Sequence, residues 1–438
     1  MAFRHVLLLT SALFMLIPVR AESMPDKDPQ GIGADAEETF ELRMERILQK
    51  SGRKGLVDVL RKETSTNYRP YAAAWLANYL LYGDIFGLAE VHDENAGMAM
   101  AKKAMEEGSI FAKEMVGRAM VDGRGVSQRR PNEGAKLLQE AAETGRFTAM
   151  AELAKLYFYG YGVPRDLGQA ETWARRAAYR GAPYMLHSFG VWTEEGKAGW
   201  KADMTRACRY YLEAAEWGNG AARQRLQALE KAGTPEARIS LQMLLLFDLA
   251  AGGDFTTPRI KRAVQILEAE CPEDPQVLVA VGQIRMERMQ PVYDHTKAWA
   301  QFEKAAQKGE TDGLYHQAEM IRRGIGRKKD VPTALAKIHE LAERSNAHAM
   351  GRLGWLYYWG AEENRQQTKD EAKAFTYAKK AAHAGDMTSV LNTGFMYEHG
   401  IGTPVNYYMS ARYYSIAEDV GYRDATRRKN AALAFIKD

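Results

Sequence analysis

The stretch "AMAELAKLYFYGYGVPRDLGQAETWARRAAYRGAP", Ala149 to Pro183, decides the fold. It holds two amphipathic segments on either side of a pair of glycines. In the first, Leu153, Leu156 and Tyr157 fall on one helical face; in the second, Ala170, Trp173, Ala174, Ala177 and Ala178 do. The pair Gly160 and Gly162 raises the alternative of a phosphate-cradling loop. Such a loop needs a strand before the glycines and a helix N-terminus directly after them. Here a helical pattern comes first, so the glycines read as the turn of a helix hairpin. The first ends a helix in the left-handed conformation, the second lets the chain turn back, and the paired alanines let helices approach closely.

The hairpin recurs along the chain. Gly181 has counterparts at Gly108, Gly145 and Gly218, in steps of 37, 36 and 37 residues, and a second series runs Gly309, Ser345, Gly385, Gly421 in steps of 36, 40 and 36. The turn returns in "RAMVDGRGV" (Arg118 to Val126), "EMIRRGIG" (Glu319 to Gly326), "LGWLYYWG" (Leu353 to Gly360) and "TGFMYEHGIG" (Thr393 to Gly402). The end of the second helix returns in "LLQEAAETG", "YLEAAEWG", "FEKAAQKG" and "YAKKAAHAG". A period in the mid-thirties predicts an all-α chain, an α-solenoid of antiparallel helix hairpins in which each hairpin buries its apolar face against its neighbours.

The order Leu-Gly-x-Leu-Tyr at Leu353, Gly354, Leu356 and Tyr357, and the run Gly160, Gly162, Val163, Asp166, Ala170, Trp173, Ala177, Ala178, Gly181, resemble the Sel-one-like repeat (SLR), a relative of the tetratricopeptide repeat. The resemblance covers about Tyr71 to Tyr422. It implies a superhelix that binds protein partners, with roles such as assembling envelope machinery, restraining a membrane sensor or supporting exopolysaccharide secretion, and it does not select among them. Two departures stand out. Gly360 has lost its second glycine and leads into the polar "AEENRQQTKD", and the 91 residues from Gly218 to Gly309 are helical in pattern without the landmarks. Some cysteine-rich secreted relatives staple each repeat with a disulfide, and a chain with two cysteines departs from that branch. The expected organisation is a secretory signal over 1–21, a leader and capping helices over 22–68, and a first repeat block over 69–232. An irregular join or degenerate repeats over 233–274 and a second block with a C-terminal cap over 275–438 complete it.

The first residues carry an address. Arg4 and His5 precede the apolar run Val6 to Ile17, and Val19-Arg20-Ala21 suits signal peptidase, so the mature chain is expected to begin near Glu22. The run is too short for a permanent span, and no cysteine stands at the cleavage point for lipid attachment. A periplasmic or secreted location follows as the expectation. Cys208 and Cys271 are the only cysteines; one bridge between them is conceivable, and two free thiols is the reading adopted. Sixty basic against 56 acidic residues leave a net charge of +4 spread along the chain, which asks for neither nucleic acid nor an anionic membrane.

Enzyme motifs fail on their details. "HELAE" at His339 to Glu343 lacks the second histidine of a zinc helix. "GVWTEEGKA" at Gly190 to Ala198 has one residue too many between its glycines for a Walker loop, and Ala198 stands where a hydroxyl should bind magnesium. No Gly-x-Ser-x-Gly elbow is present and the nine histidines show no ligand pairing, so no catalytic, cofactor or metal residue is assigned. What remains is surface. First helices of such hairpins line the concave side, and positions beside their packing register are the expected partner-binding residues. These are Glu152, Lys155 and Tyr159; Arg352, Trp355 and Trp359; and Asn392, Phe395 and His399. The expected function is an exported, non-enzymatic scaffold for a protein partner. The rivals are a polysaccharide-binding version, prompted by "WLYYWG" and "YYMSARYY", and a hydrolase with an unrecognised site.

Overall fold

The computed structural model describes residues 34–66, 69–250, 257–287, 290–360, 369–422 and 424–436; the signal segment, most of the leader and most of the polar turn after Gly360 lie outside them. Every regular element among these residues is helical. In chain order they are α1 (Ala34–Thr66), α2 (Pro70–Tyr82), α3 (Glu94–Glu106), α4 (Ile110–Asp122), α5 (Pro131–Glu143), α6 (Phe147–Tyr159) and α7 (Leu167–Ala178). Then come α8 (Tyr184–Glu194), α9 (Met204–Glu216), α10 (Gly220–Lys231), α11 (Pro235–Ala250), α12 (Thr257–Glu270), α13 (Pro275–Met286) and α14 (His295–Gln307). The chain ends with α15 (Thr311–Arg323), α16 (Val331–Glu343), α17 (Ala347–Trp359), α18 (Glu371–His383), α19 (Met387–His399), α20 (Tyr407–Val420) and α21 (Ala425–Ala434).

Each landmark residue of the repeat has a mechanical task. Gly160 closes α6 at φ 69°, ψ 39°, where a side chain is strained, and its N–H bonds back to the Leu156 carbonyl. Gly162 has a second reason to lack a side chain, because a Cβ there would run into the Pro131 carbonyl at the start of α5; Gly402 meets Glu371 of α18 in the same way. The second glycine of the turn is thus where one hairpin presses on the hairpin before it. Asp166 then caps α7 by accepting from the Gln169 N–H, and Asp93, Asp203, Asp294, Asp330, Asp370 and Asn406 cap α3, α9, α14, α16, α18 and α20 alike. Gly354 lets α17 lie directly on α18, since a Cβ there would sit 3.0 Å from the Ala378 nitrogen.

The chain divides into two compact units, with the boundary in sequence between Met185 and Leu186. In the N-terminal unit α1, broken at Gly52, covers the first hairpin: Phe40, Met44, Leu56, Val57 and Leu60 pack with Ala72, Leu76 and Tyr79 of α2. In the C-terminal unit α10 is an extra helix between α9 and α11, which also pack on each other. Successive first helices touch, α2 with α4 in one unit and α11 with α13, α13 with α15, and α15 with α17 in the other. Successive second helices do not pack comparably. At those pairs the first helices form the closely spaced side of the stack. Cys208 is buried and Cys271 half-buried, and both are unpaired thiols.

Gly160→Ala places a side chain in the left-handed region, whereas Gly168→Ala fills a helical position in α7 whose Cβ meets only the Asp166 carboxylate at 3.4 Å. The first should cost about 1 kcal/mol and the second should add about 0.4–1 kcal/mol. Denaturant melts of the two variants should therefore shift in opposite directions.

Candidate partner-binding face

Three recurring positions of the first helices lie eight, five and one residue before the turn glycine. The expected residues occupy them, and so do residues that the sequence reading passed over. In the C-terminal unit, His316, Glu319 and Arg323 precede Gly324 at the same offsets as Arg352, Trp355 and Trp359 precede Gly360. The eighth position of one helix reaches the fifth of the helix before it. Arg352 of α17 donates to Glu319 of α15 at 3.0 Å, and the Gln283 amide of α13 bonds the His316 Nε2 of α15 at 2.7 Å. In the N-terminal unit Glu152 of α6 acts through its field on Arg118 of α4 at the same two positions. A rule of fixed offsets, applied to every repeat, would have found these partners.

Around Glu319 the seam is charged and enclosed. This carboxylate is 4% exposed and also accepts two bonds from Arg322, at 3.0 and 3.1 Å. Burial works against its charge, yet the fields and hydrogen bonds of Arg352 and Arg322 hold it below the usual carboxylate range. Arg323 forms a two-bond pair with Glu287 at 2.8 and 3.3 Å. The Arg352 guanidinium also lies 5.5 Å over the Trp355 ring, whose centroid is 6.4 Å from that of Trp359. Trp355 and Trp359 are half-buried, each resting on a different apolar cluster.

Two histidines beside this tract hold opposite charge states. His348 accepts no apolar compromise: its Nδ1 is 2.8 Å from the Asp386 carboxylate and its Nε2 is 3.9 Å from Asp312. Although burial disfavours its charge, the Asp386 bond and the fields of Asp312, Asp386 and Glu310 raise it to about 9. His316, 6.0 Å away and stacked on Phe302, is kept neutral by burial and by the fields of His348 and Arg323.

The other expected residues divide. Lys155 pairs with Glu152 at 2.8 Å, and Tyr159 is 47% exposed with Tyr184 nearly as open. Asn392 is half-buried and His399 exposed, its Nδ1 3.0 Å from the Phe395 carbonyl oxygen. Phe395 is a correction. It is 7% exposed and packs with Tyr358, Ala374, Ala378 and Met396, with Arg428 of α21 over its ring at 5.9 Å. Of the eight aromatics in the runs that prompted the sugar rival, three are buried and five half-buried. Tyr358, Tyr413 and Tyr414 are buried, Tyr414 donates to Glu398, and Tyr357 stacks on Tyr377. His339 sits exposed on α16 with Ile338 and Leu341 buried beside it. Among the described residues no group of three or more His, Cys, Asp or Glu side chains is placed to hold a metal, and no helix is long and apolar enough to cross a membrane.

His348 makes stability depend on pH with a defined sign. Its folded value lies above the ordinary 6.5, so its contribution is complete below about pH 6.5 and is lost as pH rises through about 9. Glu216, pushed up to about 8 by burial and the fields of Glu213 and Asp248, titrates in the same window, so the wild-type curve alone does not isolate the histidine. The melting temperature of the wild type should fall more between pH 6.5 and 9.5 than that of His348→Gln. Parallel curves would show that His348 is not charged in the fold.

The repeat geometry has counterparts among known proteins. The family model described as Sel1 repeat matches residues 70–109, 111–145, 148–181, 190–219, 347–386 and 389–422. The ERAD-associated E3 ubiquitin-protein ligase components HRD3B and HRD3A of Arabidopsis thaliana are 37% and 33% identical over 76 and 94 residues. Those segments are 17% and 22% of this chain and only 12% and 13% of the plant proteins. Among solved structures, c5321, a protective antigen of uropathogenic Escherichia coli with an SLR fold, aligns at 19% identity with TM-score 0.34, covering 92% of this chain and 88% of that one. A Sel1 repeat protein from Oxalobacter formigenes aligns at 21% identity with TM-score 0.28, covering 92% and 96%. The matched repeats follow the helices in register, α2 to α9 and α17 to α20. The chain carries six Sel1 repeats, a repeat that generally mediates protein–protein interaction.

Proposed function

We propose that this chain is an exported, non-enzymatic adaptor of the bacterial cell envelope that holds a protein partner on its first-helix face. The observation that carries the binding part is the tract Arg352, Trp355 and Trp359. A guanidinium and two indoles stand side by side, half-buried, with the guanidinium held by the buried Glu319. Such residues combine large contact area with little freedom to lose, the composition of binding hot spots. The plant relatives are named as components of a ligase, a role within an assembly that accords with this reading. Export rests on the sequence from Met1 to Ala21 alone.

The test uses the tagged mature chain as bait in the producing cell envelope. Trp355→Ala with Trp359→Ala should reduce recovery of the captured partner at least tenfold while leaving helicity intact, whereas Leu356→Ala should cost about 2–5 kcal/mol as a core truncation. Full recovery on the folded double variant would place binding elsewhere. N-terminal sequencing of the same material should begin at or beside Glu22; an intact Met1 would overturn export.

A further inference from the structure

Where α12, α13 and α14 come together, the C-terminal unit holds a cavity of about 230 Å³. α13 packs closely on α14 and only slightly on α12, and residues of all three border the space. It falls between residues 220 and 346, outside the matched repeats, and no residue of the Arg352–Trp355–Trp359 tract borders it. Its apolar side is Val277, Leu278 and Val281 of α13, all buried. Its polar side is a network on Glu268. Arg285, only 9% exposed, turns both terminal nitrogens to that carboxylate, Nη2 at 2.8 Å, and the Gln301 amide donates to it at 3.0 Å. A carboxylate only accepts, so Gln301 must turn its NH2 toward Glu268 and its oxygen away. One donor, the Arg285 Nε–H, and one acceptor, the Gln301 Oε1, are left over; both are buried, and neither has a protein partner.

The charges around the cavity do not call for an ion. Glu268 balances Arg285, while Lys297 and Lys304 on the rim have Asp294 at 3.8 Å and Glu273 at 3.2 Å. Water suits such a space poorly: about seven molecules would fill it, each needing two to four polar partners, and the valine and leucine side chains supply none. By proportion to a cavity of about 150 Å³ that takes benzene, about nine non-hydrogen atoms fit. A neutral molecule of that size, with an apolar body and a carbonyl and N–H on neighbouring atoms, satisfies both sides at once. Cys271 at the edge is no nucleophile toward it, since burial and the charges of Asp274 and Glu270 push the thiol up. We propose that this cavity binds a small neutral carboxamide, its apolar body on Val277, Leu278 and Val281 and its amide on the Arg285 Nε–H and the Gln301 Oε1.

The test uses the full chain carrying Cys208→Ala, which leaves Cys271, bordering the cavity, as the thiol that is read. Benzamide should slow alkylation of Cys271 by iodoacetamide saturably and at least tenfold, and calorimetric titration should show the same saturable binding. Benzoate, equal in size but charged and without the N–H donor, and toluene, which has the ring alone, should each need at least tenfold higher concentrations. Gln301→Leu removes the acceptor and should weaken benzamide at least tenfold without weakening toluene. Ala300→Trp, a change at an exposed position on the rim, should abolish the protection and leave the thermal melt unaltered. Absent or unsaturable binding of benzamide, benzoate or toluene binding as tightly, or protection that survives Ala300→Trp would each overturn the assignment.

Discussion

A two-helix hairpin of about thirty-six residues cannot bury its own apolar face, and that shortfall organises everything else in this molecule. Each hairpin is completed by its neighbours, so the joint between hairpins matters more than the hairpin. Here the joint is a backbone-on-backbone contact: the second glycine of the turn, as at Gly162 against Pro131, leaves no room for a Cβ. Such a contact fixes how far one unit tilts over the next. Curvature, and with it the inner face, is set by residues that have no side chain.

The polar seam is the second level of that organisation. Its members come from successive first helices, so each ion pair spans about one repeat in sequence, as Arg352 with Glu319 and Arg323 with Glu287 do. A buried carboxylate such as Glu319 gains little net stability from its partners, but removing one of them leaves an uncompensated charge that costs several times more. The seam thereby penalises any slip of one first helix past the next. The contrast between His348 and His316, 6.0 Å apart, has the same origin: one ring faces two carboxylates and the other faces an amide and a phenyl ring.

The period, the turn glycines and the aspartate that opens most second helices were legible in the sequence because each reports a local backbone requirement. Of the positions taken from beside the packing register, Tyr159 and His399 stand exposed and Trp355 and Trp359 half-buried. Depth was not legible. Phe395 has the same offset as Trp355, yet it packs among Tyr358, Ala374, Ala378 and Met396, a relation that periodicity does not encode. Nor does the pattern separate Gly218 from Gly309, since both satisfy the same left-handed turn and differ only in a neighbour two hundred residues away.

Ser345 occupies the position that glycine holds in the other hairpins, and it holds the left-handed backbone regardless, at φ 61°. A strain of about 1–2 kcal/mol is the usual penalty for such a residue. It is carried by one joint alone, because no interaction relays it beyond the adjoining hairpins. A chain built this way drifts piecewise: each repeat can lose its recognisable letters while its geometry survives. The stretch from α10 to α16 illustrates that tolerance, since it escapes the family model between residues 220 and 346, yet α15 still ends in a left-handed Gly324 and α16 still begins on the Asp330 cap.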